Sequence, residues 1–190
     1  MAGAKAVLVD IAPETLTMSP AAFADAITPR TKAVVPVHVS GRSADLDAIM
    51  TIATANDIAV VEDAAEAFLS RRQGRALGTF GAMGCLSFSP MKLITTGQGG
   101  MIITNNEALA RRAKGHAHKG SEYDDELRES LRPTAERRGS ERGYSFLGDF
   151  HTMSDLQGAI GLAQIQRWQE YKELRAHSAS ILDEETFELP

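Results

Sequence analysis

The chain has 190 residues, 43% hydrophobic and 24% charged, so it can bury one substantial core but cannot hold a second full domain. Its 25 acidic and 20 basic residues are mixed along the sequence and give a net charge of −5, which excludes the basic footprint of a protein that binds nucleic acid or an anionic membrane. A single cysteine, Cys85, excludes an internal disulfide, and no apolar stretch reaches membrane-spanning length. We therefore expect a cytoplasmic protein whose partners are small molecules or other proteins.

The first third of the chain alternates apolar runs with helical patterns. Residues 6–10, 32–40 and 58–63 are rich in valine and isoleucine and predict three strands. Residues 19–27 and 44–57 carry caps and apolar side chains at helical spacing and predict the two intervening helices. This order predicts an α/β fold with a mostly parallel sheet in a βαβαβ arrangement.

After the third predicted strand the pattern changes to short pieces separated by glycines. Residues 67–78 predict a hairpin-like excursion, and residues 84–89 and 99–105 predict two further strands. Asn105 is expected to cap the short helix that follows. The highly charged stretch 115–143 is interpreted as a solvated excursion rather than a binding segment.

Three polar side chains stand where predicted strands end. Asp63 closes the third strand, and open α/β sheets bind ligands beyond the carboxyl ends of their strands. The alternative is that Glu62 and Asp63 only cap a following helix. Lys92 follows the strand at 84–89 and precedes the glycine-rich TTGQGG, so it presents a flexible amine there unless it is an ordinary surface lysine. Ser87, five positions earlier, offers a hydroxyl suited to a phosphate oxygen or is an ordinary strand serine.

Other motifs argue against two ligand classes. The glycine clusters at 78–84 and 97–100 lack the G-x-G-x-x-G order, and the second leads into a strand, so a Rossmann dinucleotide site and a P-loop are disfavoured. His38, His116 and His118 are interpreted as packing or solvent-facing residues rather than metal ligands.

Two segments, VVEDAAEAF at 60–68 and GCLSFSPMKLITTGQGGMIITNNEALA at 84–110, closely resemble the DegT/DnrJ/StrS family of pyridoxal-phosphate (PLP)-dependent sugar aminotransferases. Residues 36–49 and 153–164 also resemble family signatures, so the resemblance spans nearly the whole chain. It implies the aspartate-aminotransferase fold (fold type I), a three-layer α/β sandwich. Residues 1–150 would then be the central part of the PLP-binding large domain, and 151–190 a long helix leading toward the small C-terminal domain.

The resemblance also implies a role for each matching residue. Lys92 would carry PLP as a Schiff base and move the proton between carbon centres. Asp63 would bond the pyridine nitrogen and keep it protonated, and Ser87 would hold the phosphate. Glu66 occupies a position near the cofactor ring and the reacting sugar, which implies a supporting role.

The implied activity is transfer of an amino group, usually from glutamate, to a keto-sugar nucleotide by a homodimer. Lysine rather than histidine at position 92 favours transamination over the PLP-dependent sugar dehydration found in the same family. Two further alternatives are an inactive remnant or dimerising partner of the family, and an α/β regulatory domain that binds a metal through Glu62 and Asp63.

The sequence departs from the family pattern in length and in two short motifs. Family members are about twice as long, so the chain is expected to be truncated at both ends and to lack the phosphate-binding loop and the aromatic residue that stacks on the ring. Residues 148–154 lack the asparagine that reaches the partner subunit's phosphate, and Asp149 or His151 are the candidate substitutes. Gln98 replaces the usual glutamate of the glycine-rich motif.

Overall fold

The computed structural model describes residues 3–120 and 147–186, so most of the charged stretch at 115–143 lies outside the described residues. The chain forms two compact units. The first comprises residues up to 86 together with 101–152, and the second comprises residues 87–100 together with those from 153 onward.

The elements are short in the first unit and longer at the C-terminal end. The strands are β1 (Ile11–Ala12), β2 (Thr17–Met18), β3 (Ala33–Val34), β4 (Ala59–Asp63), β5 (Arg71–Arg72), β6 (Arg75–Ala76), β7 (Met83–Ser87) and β8 (Gly100–Ile103). The helices are α1 (Pro20–Asp25), α2 (Leu46–Ala55), α3 (Glu107–Ala117), α4 (Asp155–Gln166) and α5 (Trp168–Thr186), with a 3-10 turn at Val39–Gly41.

The main sheet has the strand order β3-β4-β7-β8. Strand β4 runs parallel to β3 on one side, with Val60 opposite Val34, and parallel to β7 on the other, with Asp63 opposite Cys85. The parallel arrangement is therefore as predicted. Two small antiparallel hairpins, β1-β2 and β5-β6, stand apart from this sheet, and the second is the excursion predicted at 67–78.

The core of the first unit lies where α1 and α2 pack against the sheet. Leu46, Ile49 and Ala53 are buried on one face of α2, as their helical spacing predicts, and Ile49 packs in one cluster with Phe23 and Val60. Complete burial of a side chain such as Ile49 contributes about 1.5–3 kcal/mol. This packing holds β4 in place and so fixes the strand that ends in the candidate site.

The prediction of a first strand at 6–10 is wrong. Those residues form no strand, and Val7 and Leu8 are 66% and 95% exposed. A β-branched run becomes a strand only when it finds a hydrogen-bonding edge, and none of the described strands pairs with it. The second predicted strand, at 32–40, shortens to β3, since Pro36 has no N–H to continue a ladder.

The predicted helix starts are correct at one position and displaced at another. Ser19 caps α1, with its side chain accepting a hydrogen bond from the N–H of Ala22. The cap of α3 is Asn106, not Asn105: the Oδ1 atom of Asn106 accepts from the N–H of Leu109 at 3.1 Å. The hydroxyl of Thr104 accepts from the N–H of Asn106, which sets the second asparagine in the capping position.

In the second unit, α4 begins with a capping box formed by Ser154 and Gln157, in which each side chain accepts from the other residue's N–H. The prediction that one long helix spans residues 151–190 is wrong. Arg167 leaves helical geometry, at φ −107° and ψ 8°, and separates α4 from α5. Neither proline nor glycine marks this break. Within the described part of the chain, no helix has the length and apolar character needed to cross a membrane.

Candidate active site

The last two residues of β4 point to opposite faces of the strand, as pleating requires. The Glu62 side chain is completely buried, whereas Asp63 is half-buried. No helix follows them, since residues 64–70 form turns. The alternative that both residues cap a helix is therefore wrong, and each has its own surroundings.

Glu62 is the centre of a buried hydrogen-bond group that we call the Glu62 cluster: Glu62, His38 and the backbone N–H groups of Gly78, Phe80 and Gly81. Its Oε2 accepts from His38 Nε2 at 3.0 Å and from the N–H of Gly78 at 2.7 Å. Its Oε1 accepts from Phe80 at 2.5 Å and from Gly81 at 2.7 Å. Four donors fill both carboxylate oxygens, so the buried charge is well compensated.

The His38 ring is hydrogen-bonded at both nitrogens. Nδ1 accepts from the N–H of Ala44 at 3.1 Å, and a ring nitrogen that accepts carries no proton. The proton therefore lies on Nε2, which donates to Glu62. His38 is thus a neutral, completely buried donor, in agreement with its interpretation as a packing residue. No group of three or more histidine, cysteine or acidic side chains in the described ranges is arranged to hold a metal ion.

The surroundings keep Glu62 ionised. Burial alone would raise the pKa of the carboxyl group, because it disfavours the charged form. The hydrogen bonds from His38 and from the N–H groups of Gly81, Gly78 and Phe80 outweigh this effect, and the pKa of Glu62 lies below its ordinary value. Glu62 is therefore an ionised structural anchor.

Asp63 lies between two neighbouring segments of backbone. Its N–H donates to the carbonyl of Pro36 at 2.9 Å, and its carbonyl accepts from the N–H of His38 at 3.0 Å. The side-chain Oδ1 accepts from the N–H of Ala65 at 3.0 Å, and among the residues whose positions are known Oδ2 has no hydrogen-bond partner. Burial and the negative charge of Asp63 raise the pKa of the Cys85 thiol beside it.

Glu66 is exposed and bonded to the loop after β3. Its Oε2 accepts from the N–H of Ser40 at 2.8 Å. Ser40 has a left-handed backbone with φ of 51°, and Gly41 follows with φ of 82°. This bond ties the turn after β4 to the 3-10 turn, a contact that the sequence did not indicate.

Ser87 and Lys92 belong to the second unit. Ser87 is the last residue of β7, is half-buried, and accepts a hydrogen bond at Oγ from the N–H of Ser89 at 3.3 Å. Lys92 lies in the turn that follows, also half-buried, and its backbone N–H donates to the carbonyl of Ser89 at 3.1 Å. Both residues therefore lie at or just after the carboxyl end of β7, as predicted.

The loop that carries Lys92 is fixed to α4 within the second unit. The side chain of Gln164 accepts from the N–H of Thr95 at 3.0 Å, and that of Gln157 donates to the carbonyl of Gln98 at 2.9 Å. A Cβ atom on Gly99 would stand 2.6 Å from the Thr96 hydroxyl, and the φ of 155° at Gly99 also disfavours a side chain. The glycine-rich stretch thus allows a close-packed turn.

The role of Glu62 was missed by sequence reasoning, because three of its four partners are backbone groups. Only the acidic end of an apolar strand marked the position. Asp63, Glu66, Ser87 and Lys92 remain the predicted cofactor-binding residues.

The sequence matches the DegT/DnrJ/EryC1/StrS aminotransferase family over residues 1–190. The L-glutamine:2-deoxy-scyllo-inosose aminotransferase of Micromonospora echinospora is 40% identical over 180 residues, which are 93% of this chain and 41% of that protein. The GDP-perosamine synthase of Caulobacter vibrioides is 38% identical over 169 residues, 89% of this chain and 42% of that protein. The chain thus spans about two-fifths of the length of these curated relatives.

Solved structures of aminotransferases resemble this chain in fold. The sugar aminotransferase CalS13 from Micromonospora echinospora has a TM-score of 0.79 at 28% identity and covers 95% of this chain and 48% of its own. PseC, a Helicobacter pylori aminotransferase of pseudoaminic acid biosynthesis, has a TM-score of 0.83 at 23% identity over 97% of this chain and 46% of its own, a likeness of fold alone. The predicted fold class, part of the large domain of a fold type I PLP-dependent enzyme, is confirmed. The chain belongs to the DegT/DnrJ/EryC1/StrS aminotransferase family.

Proposed function

We propose that this chain provides the cofactor-holding residues of a PLP-dependent sugar aminotransferase. The observation that carries the proposal is the Asp63 carboxylate at the end of β4. It is half-buried, one oxygen is held by the N–H of Ala65, and within the described ranges the other has no hydrogen-bond partner. A carboxylate held in this way can accept a hydrogen bond from a protonated ring nitrogen and favour the protonated form.

The other predicted residues have the chemistry that PLP needs. When bound, PLP supplies the electron sink of amino transfer. The Lys92 amine would hold the cofactor covalently and move a proton between carbon centres of the substrate. The Ser87 hydroxyl would donate to the phosphate, and Glu66 would support the ring or the reacting sugar while its bond to Ser40 fixes its position.

The names of the relatives support the proposed substrate class. One is named for an inosose and another for a GDP-linked amino sugar, so a cyclic ketone of a sugar or cyclitol is the proposed amino acceptor, with a sugar nucleotide as the first choice. Glutamate is the proposed donor, and glutamine, which stands in a relative's name, is to be compared with it. We further propose a cytoplasmic homodimer.

Attachment of PLP to the purified chain tests the proposal. The chain is mixed with PLP and reduced with borohydride, and the labelled peptide is identified by mass spectrometry. With PLP at or below the concentration of the chain, we expect the main label on Lys92 and its loss in Lys92→Ala, because a bound cofactor would keep its aldehyde beside this amine. Lys172→Ala, which alters an exposed lysine on α5, is the matched control and should label like the wild type.

The result that contradicts the proposal is equal, scattered labelling of the wild type and Lys92→Ala. If instead the label is found on Lys92, the next step is to assay amino transfer to keto-sugar nucleotides, with glutamate or glutamine as the donor. A requirement for glutamine would replace the glutamate assignment without affecting the role of Lys92.

A further inference from the structure

We propose that His38 and Glu62 form a positioning pair that sets the direction of the Asp63 carboxylate toward the cofactor ring nitrogen. The inference rests on the function proposed above. Both side chains are completely buried, so they are positioning residues that act through Asp63.

The direction of Asp63 depends on its backbone. The side chain has one hydrogen bond, from the N–H of the nearby Ala65. The two peptide groups of Asp63 bond to Pro36 and His38 in the segment after β3, and the following N–H, of Ala64, donates to the carbonyl of Cys85 at 2.9 Å. A shift of the segment that contains His38 would therefore turn the carboxylate of Asp63.

The ring of His38 holds that segment. Nδ1 binds the N–H of Ala44 and Nε2 binds Glu62, so the ring cannot rotate without losing a bond. Glu62 in turn binds the N–H groups of Gly78, Phe80 and Gly81, which precede β7. The Glu62 cluster thus joins the exit of β3, the end of β4 and the entry to β7.

Packing alone does not require this arrangement. An apolar pair of similar volume could fill the same space and would avoid removing a carboxylate from water. An apolar pair would not fix the orientation of the neighbouring backbone, whereas hydrogen bonds at both ring nitrogens and both carboxylate oxygens do fix it. The pair lies on the face of β4 opposite to the Asp63 side chain. It therefore acts on Asp63 through the backbone at the end of the strand.

Cys85 provides a readout that needs no cofactor. It is the sole cysteine of the chain and the register partner of Asp63, and burial together with the charge of Asp63 raises the pKa of the thiol. Glu62, one residue earlier on β4, points to the opposite face of the strand, and Gly100–Ile103 of β8 contains no titratable side chain. The pH profile of thiol alkylation therefore responds to the position of the Asp63 charge as well as to burial of the thiol.

Two variants of His38 distinguish the roles of the two ring nitrogens without changing the charge. The amide of His38→Gln reaches the place of Nε2 and can donate to Glu62. The amide of His38→Asn reaches only the place of Nδ1 and loses that bond. We expect His38→Asn to lower the thiol pKa and to weaken PLP labelling of Lys92 by about tenfold, the typical effect of losing a hydrogen bond to a charged group. We expect His38→Gln to recover both properties.

Two controls complete the experiment. Asp63→Asn should lower the thiol pKa by removing the charge itself, which calibrates the reporter. Thr51→Ala, on the exposed side of α2, changes no contact of the Glu62 cluster and should leave the thiol profile unchanged. If His38→Asn does not fold, Glu62→Gln replaces it, since an amide cannot accept all four donors.

The proposal is overturned if the folded variant that has lost the bond keeps the wild-type thiol profile, or if His38→Gln behaves like His38→Asn. Failure of the proposed function looks different: Lys92 would remain unlabelled in the wild type, whereas the thiol profiles would still respond to His38.

Discussion

Glu62 and His38 meet at 3.0 Å with no exposed surface on either side chain. The histidine is neutral and the glutamate ionised, and the carboxylate also accepts three backbone hydrogen bonds. A buried carboxylate with a depressed pKa links folding to pH.

We expect acid to weaken the fold through Glu62. Its pKa is lowered in the folded chain, so its contribution is complete above the ordinary carboxyl value of 4.5 and is lost as the pH falls through the folded pKa. Urea unfolding at a series of pH values measures this. The free energy of unfolding should fall less steeply with acid in Glu62→Gln, although that variant is less stable near neutral pH. Equal slopes in the two proteins would show that Glu62 does not contribute.

We expect Ile49→Ala to lower the free energy of unfolding by about 2–5 kcal/mol, because it opens a cavity in a completely buried part of α2. The control is Thr51→Ala on the exposed side of the same helix, which should change it by less than about 0.5 kcal/mol. Chemical denaturation checks both. Similar losses in the two variants would contradict the packing of α2 described above.

Two glycines should respond to alanine in opposite directions. A Cβ atom on Gly84 would overlap the backbone of Gly78, so Gly84→Ala should cost about 3 kcal/mol or more. Gly158 lies inside α4 with open space around it, and Gly158→Ala should stabilise the protein by about 0.5–1 kcal/mol. Thermal unfolding gives the sign of each change, and a stabilised Gly84→Ala would disprove the close approach.

The loop that carries Lys92 should loosen when its bond to α4 is removed. In Gln164→Leu the N–H of Thr95 loses its acceptor, and we expect its hydrogen exchange to be roughly tenfold faster. Gln164→Glu replaces the amide oxygen with a carboxylate oxygen that can still accept from the N–H of Thr95, and it is the matched control. Unchanged exchange in Gln164→Leu would show that this bond does not hold the loop.

Periodic patterns predicted the parts of the fold that depend on local sequence. The apolar face of α2 and the acidic end of β4 could be identified because helical spacing and an abrupt change of polarity are visible in the sequence. Residues 6–10 have strand composition but no strand partner, and composition does not reveal a missing partner. The break at Arg167 was missed because it has neither glycine nor proline.

The candidate site was predictable only in part, for a similar reason. Asp63 and Lys92 carry side-chain chemistry that a motif displays. The anchoring of Glu62 depends on N–H groups 16 to 19 residues away, which any residue other than proline provides. Such bonds become visible only when the chain is folded.

The same backbone bonds leave one position open to redesign. At Phe80 only the N–H reaches Glu62, while the ring lies outside the cluster with the Arg75 guanidinium 4.5 Å from its centre. Any amino acid except proline can supply that N–H, but the half-buried Phe80 ring also packs against the core cluster that contains Leu46 and Leu77, so the replacement has to be apolar. Gly81 has no such latitude, because a Cβ atom there would overlap the carbonyl of Val60. A library of apolar residues at position 80 that keeps Gly81 can therefore vary the packing of this loop while the carboxylate beneath it keeps all four donors.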